Sequence, residues 1–172
     1  MPAIQDLLQE LDQEAAATRR TLARIPEDRL TWRPHEKSMT LRELAGHIAT
    51  LPALVVEMST WPVFDVKTSN EKIKASRPDA GSVADALDML DRSVAHAKAA
   101  LSRMGDAGLS IPWRIVLGNA EVATIPRSAL FRSALFNHWY HHRGQLTVYL
   151  RLTGVPVPAL YGDSADELAF ST

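Results

Sequence analysis

His138 and His142 stand one helical turn apart in the run Asn137-His138-Trp139-Tyr140-His141-His142-Arg143-Gly144-Gln145. On an α-helix an i, i+4 pair sits about 40° apart on one face, close enough for two imidazoles to share one metal ion. Projected on that helix, the inward stripe reads Phe131, Leu135, His138, His142, Gln145 and Tyr149. A lone histidine on such a stripe is most simply a core residue satisfied by a hydrogen bond. Two of them, with His47 on the inner face of another predicted helix, point instead to a shared ion. Three imidazoles buried without one would leave several ring nitrogens to be satisfied separately. His141 lies at the edge of the stripe and is read as a neighbour of the ligands or a substrate-facing group. Gln145 is placed to orient a ligand or a bound water. Glu43, one turn before His47, offers a general base, although a helix-capping role already accounts for it. Trp113, Tyr149 and Arg143 are candidates for a pocket mouth, with plain hairpin packing the simpler account of Trp113.

Composition narrows the chemistry. The 172 residues are 46% hydrophobic and 23% charged, which suits one domain over 1–172 with one buried core. Lys+Arg 19 against Asp+Glu 20 leaves a net charge of -1, with no footprint for nucleic acid or an anionic membrane. There is no cysteine, so disulfides, thiolate metal sites and a cysteine nucleophile are excluded. No apolar run is long enough to span a bilayer, and a cytoplasmic location is expected.

Four amphipathic stretches must present these residues. The first has its stripe at Ile4, Leu7, Leu8, Leu11, Ala15, Thr18, Leu22 and Ile25, ends at Pro26, and leaves Asp12, Glu14, Arg19 and Arg20 as solvated charges. In the second, Thr40 and Glu43 form a capping box ahead of Leu44, Ile48, Leu51, Val55 and Met58, and Pro52 should bend or break it. Residues 63–81 read as a long mobile connection. Ser82 caps a third helix with its stripe at Val83, Leu87, Leu90, Val94, Ala97, Leu101 and Met104, closed by Gly105 to Gly108. Two short strands around Gly118-Asn119 form a hairpin. The fourth helix starts at Pro126 and stops at Gly154, and one short helical turn is expected over 163–168. Four helices, one hairpin and no βαβ alternation predict an all-α four-helix bundle with a short β-hairpin between the third and fourth helices. On the fourth helix Phe136, Trp139 and Tyr140 fall opposite the histidines, an aromatic back face that predicts burial against a second subunit, a homodimer.

The stretch from Trp32-Arg33-Pro34-His35 through Thr40-Leu41-Arg42-Glu43-Leu44-Ala45-Gly46-His47, followed by the histidine run, resembles the DinB/YfiT-like superfamily. The likeness covers almost the whole chain and implies a bundle with a three-histidine site for a divalent metal. By position the ligands fall on His47, His138 and His142. It also implies a range of activities: thiol S-transfer with mycothiol or bacillithiol, maleylpyruvate isomerisation, hydrolysis, and stress roles without assigned chemistry. Fold alone does not choose among them. The expectation is therefore a site for Zn or Ni acting on a small-molecule substrate, as a metal-dependent hydrolase or thiol S-transferase with a low-molecular-weight thiol cosubstrate. The alternative is a non-catalytic metal-binding stress-response or interaction protein working as a dimer.

Overall fold

The computed structural model describes residues 3–75 and 77–169. Helix α1 (Ala3–Leu22) runs into a short 3-10 turn (Glu27–Arg29) and then α2 (Leu41–Met58). A two-residue strand β1 (Phe64–Asp65) and α3 (Val66–Ala75) lead to α4 (Val83–Leu109). The hairpin β2 (Pro112–Leu117) and β3 (Ala120–Pro126) follows. The last long rod is composite: α5 (Arg127–Leu130), a π-helical stretch (Phe131–Asn137) and α6 (His138–Leu152). α1, α2, α4 and this rod are the expected bundle, with α4 packed along both α1 and α2. The core fills with Leu11, Leu22, Leu44, Ile48, Leu90, Leu101, Phe131 and Leu135 from the four stripes. No helix among the described residues is long and apolar enough to cross a membrane.

Local signals set the helix ends. The Thr40 hydroxyl accepts from the Glu43 N–H while the Glu43 carboxylate accepts from the Thr40 N–H at 2.7 Å, a complete capping box. Ser82 caps α4 through the Asp85 N–H. Helical structure carries on past Gly105 to Leu109, but Gly105 breaks it with a φ of +61°, a conformation that glycine adopts without steric penalty. Gly154, at φ +77°, ends the last helix as expected.

Several expectations are corrected. The connection after α2 is not a structureless loop: Phe64 and Asp65 pair in parallel with Ile115 and Val116, and α3 follows at once. The Asp65 carboxylate explains both features. It accepts from the N–H groups of Lys67 and Thr68, starting α3, and from the Gly118 N–H in the hairpin turn. The hairpin is thereby widened to three strands in the order β1-β2-β3. The segment over 163–168 is held by Ser164 and Asp166 side-chain bonds rather than by a helical turn. Residues 170–172 of the expected tail lie outside the described residues.

The aromatic back face is buried inside the chain. Phe136 and Trp139 are fully covered, and the half-buried Tyr140 hydroxyl hydrogen-bonds Glu10 of α1. An expectation of a second subunit therefore no longer rests on these residues. Glu14 and Arg143, read as a solvated charge and a pocket residue, are instead a buried ion pair between α1 and α6, with Arg143 only 1% exposed.

Pro52 neither breaks α2 nor goes uncompensated. Lacking an N–H, it cannot bond the carbonyl of Ile48 four residues back. That carbonyl accepts from the Trp139 indole at 2.9 Å, and the N–H of Ala53 turns to the Ser93 hydroxyl. The missing backbone bond thus becomes a cross-link between α2 and α6 one residue beyond His47 and one beyond His138. Trp139→Phe is expected to leave the Ile48 carbonyl buried without a donor and to cost about 1–3 kcal/mol, read from the urea midpoint. No change in midpoint would count against this cross-link.

Candidate metal centre

The three expected ligands meet. His47 from α2 and His138 and His142 from α6 each offer a ring nitrogen, and these atoms lie within 4.8 Å of one another. His47 is 4% exposed and His142 9%, and His138 is half-buried. The capping box fixes where α2 begins and so sets which turn carries His47. Gly46 lets the chain close over it: a Cβ there would stand 2.5 Å from the carbonyl oxygen of Pro78. The segment after α3 thus lies directly on α2 beside the histidine, tied down by an ion pair between Arg42 and Asp79.

On the other helix the π stretch does the aiming. In a regular α-helix the His138 N–H would bond Ala134, but here it donates to Ser133, five residues back, and Leu135, three back. The Ala134 backbone acts on the His138 imidazole, opposing the effect of burial. Its Nε2 then points at the Nε2 of His142, 2.7 Å away. Gln145 completes the arrangement, with Oε1 at 2.7 Å from Nδ1 of His142. An amide oxygen only accepts, so this bond puts the proton on Nδ1 and frees the Nε2 lone pair toward the shared centre.

The chemistry of the donor set fits a cation. The Nε2 of His47 is buried with no hydrogen-bond partner, a costly arrangement unless something else occupies its lone pair. All three rings are held neutral, the form that ligates metal. Burial pushes His47 down to about 3, helped by the neighbouring His142 and the charge of Arg77. Burial likewise lowers His142 to about 4, against the opposing bond from Gln145, and lowers His138. The sign for the metal-free protein follows. The unfolded chain protonates its histidines near pH 6.5, whereas the folded His47 and His142 resist protonation until about 3 and 4. Between those limits the unfolded state binds more protons, so stability is expected to fall as pH drops from about 6.5 toward 4. Urea midpoints of chelator-treated protein at pH 7.5, 6 and 5 would show it. A midpoint unchanged across that range would contradict it.

Two of the histidines, His47 and His138, line a cavity of about 520 Å3. Its walls come from α2 (Leu51, Val55, Met58), the sheet (Phe64, Trp113, Ile115) and α3, so the hairpin and the unforeseen helix both shape it. Trp113 serves two purposes, donating its indole N–H to the Met58 carbonyl while its ring lines the cavity.

Other expected site residues lie elsewhere. Glu43 is exposed, with its carboxylate committed to Thr40. Tyr149 bonds the Met39 carbonyl and packs edge-on to Trp32, outside the cavity. His141 is exposed with its ring 4.9 Å from that of His142, a neighbour of the cluster and not a member. His35 and His96 are exposed as expected. The reading of the sequence missed Lys74 and Arg77 at the cavity mouth, because 63–81 showed no periodic stripe. Gln145→Leu is expected to weaken metal affinity about 10–100-fold while keeping the fold, the usual effect of removing a group that orients a ligand. An unchanged affinity in a competitive chelator titration would argue against that role.

Known proteins agree with this geometry at the level of fold. Over residues 1–170 the chain matches a family profile described as DinB family. A DinB-like protein from Bacillus cereus ATCC 10987 superposes with a TM-score of 0.67 at 22% identity, over 90% of this chain and 95% of that one. A second from Bacillus subtilis, YjoA, gives 0.66 at 19% identity, over 89% and 96%. A mycothiol-dependent maleylpyruvate isomerase gives 0.55 at 13% identity over 92% of this chain, which spans 65% of that enzyme. Among curated sequences, YrdA of Bacillus subtilis (strain 168) is 49% identical over 35 residues, about a fifth of each chain (20% of this one, 21% of YrdA).

Proposed function

The chain belongs to the DinB family, and we propose that it is a metal-dependent enzyme transferring a thiol to a small electrophile, with His47, His138 and His142 as the metal ligands. The observation that carries this reading is the orphaned Nε2 of His47, clustered with ring nitrogens of His138 and His142 beside an apolar cavity. A divalent ion bound there, Zn or Ni for an all-nitrogen set, would supply Lewis acidity to a thiol or a polarised substrate. The protein's own residues do the rest. Gln145 holds the His142 tautomer, and the apolar walls exclude bulk water from the reacting groups.

Thiol transfer is favoured over hydrolysis by what the cavity lacks. No Asp or Glu lines it among the described residues, and Glu43 faces away, so no carboxylate stands ready to deprotonate water. A thiol ionises far more readily than water and has less need of a protein base. With no cysteine in the chain, that thiol must be a cosubstrate. The fold shared with a mycothiol-dependent isomerase supports the same reading.

The test is thiol consumption. Mycothiol, bacillithiol and glutathione would each be offered with a panel of activated electrophiles, using metal-loaded and chelator-treated protein. Thiol loss that depends on metal supports the proposal. Metal-loaded protein that consumes none of them with any electrophile would overturn it, in favour of a metal-binding protein without turnover.

A further inference from the structure

The cavity above the histidines is charged on one side only. Its apolar walls end at a rim built by α3 and the segment after it, where Lys74 and Arg77 stand with Asn70. Both cations are exposed, and neither has an ion-pair partner among the described residues; the Arg77 guanidinium donates to the Met39 sulfur at 3.3 Å. Ion pairs otherwise engage many of the chain's arginines, among them Arg19, Arg24, Arg42, Arg92, Arg132 and Arg151. Two cations with no lining carboxylate make a positive mouth in a chain whose net charge is -1, so the local sign does not reflect the average composition.

We propose that the electrophile taken by this site is a small organic carboxylate with an apolar body, its charge held by Arg77 and Lys74 at the mouth and its body against Trp113, Phe64 and Met58. The inference rests on the reading above only in taking this cavity as the substrate site. The volume of about 520 Å3 lies within the usual range for small-molecule pockets. Unpaired guanidinium and ammonium groups at an apolar opening are the arrangement that holds a carboxylate by charge-assisted hydrogen bonds while the rest of the molecule is desolvated. A neutral molecule of the same shape would gain the walls but not the mouth. α3 thereby has a role beyond connecting two helices: it carries Lys74 and brings Arg77 over His47, where Gly46 leaves room for the chain to come close.

The experiment uses 4-phenylbutyrate and its neutral amide as probes, with calorimetric titration of the chelator-treated full-length protein. Without metal, a carboxylate cannot gain affinity from an ion, so failure of the metal reading would not disturb this result. The acid is expected to bind at least about tenfold more tightly than the amide. In the K74Q/R77Q double variant that ratio should fall to near one. Lys67→Gln, on the same helix but away from the cavity, should leave the ratio at the wild-type value, and far-ultraviolet circular dichroism checks that each variant is folded. Equal binding of acid and amide by the wild type, no binding of either at millimolar concentration, or a ratio that survives in the double variant would each overturn the proposal.

Discussion

Replacing His142 by alanine is expected to empty the site. Metal content should fall from about one ion per chain to below about a tenth, because two imidazoles cannot complete a site that needs three protein ligands. The loss has a second readout in stability. Metal present at 100 times its dissociation constant should stabilise the wild type by about 2.7 kcal/mol, and that increment should vanish in the variant. His141→Ala is the matched control, since that ring is exposed beside the cluster and is expected to leave metal content unchanged. The loss should not depend on the variant's own stability, because the increment is the difference between metal-loaded and metal-free forms of the same chain. A His142→Ala protein that keeps its full metal content would remove the basis of the proposed mechanism.

Arg143→Met should produce the largest loss of fold stability, about 3–5 kcal/mol, by leaving a buried carboxylate without its partner. The guanidinium donates to the Glu14 carboxylate at 2.5 Å, to the Glu14 carbonyl at 3.0 Å and to the Thr18 hydroxyl at 3.1 Å, and it also bonds the Tyr161 hydroxyl. Tyr161 returns a bond to Glu14 at 2.8 Å, so the C-terminal tail is docked on the same group. Adding Glu14→Leu should recover most of the loss, because an apolar pair of similar volume requires no buried charge to be satisfied. Urea midpoints of the two variants would show the difference. A single variant less than about 1 kcal/mol below the wild type would mean that solvent relieves the charge.

Much of the bundle and the identity of the three histidines were legible in the sequence. The stripes of α1, α2 and α4 repeat at 3.6 residues, and Thr40 with Glu43 marks a helix start through side-chain chemistry that is local to four residues. His47 could be paired with His138 and His142 because each falls on or beside an apolar stripe, and a bundle turns such stripes toward one shared core. What escaped the sequence was set by distant partners. α3 has only Val66 and Ile73 as large apolar residues, and its start depends on an Asp65 carboxylate that also serves the hairpin. Glu14 looks solvated until Arg143, 129 residues away, is seen beside it. Phe136 and Trp139 read as an outer face because one projection assigns a helix a single buried side, whereas this rod is covered on both. The π stretch leaves no hydropathy signature, since it alters which carbonyl each N–H finds and not which side chains are apolar.

The most direct test of the central claim is X-ray absorption at the metal edge of the wild-type protein, purified without a chelating tag and loaded with one equivalent of Zn. The account predicts stoichiometric binding with a nitrogen shell at about 2.0–2.1 Å and multiple scattering from three imidazoles. Protein that binds no zinc, or a shell with fewer than three imidazoles, would contradict it.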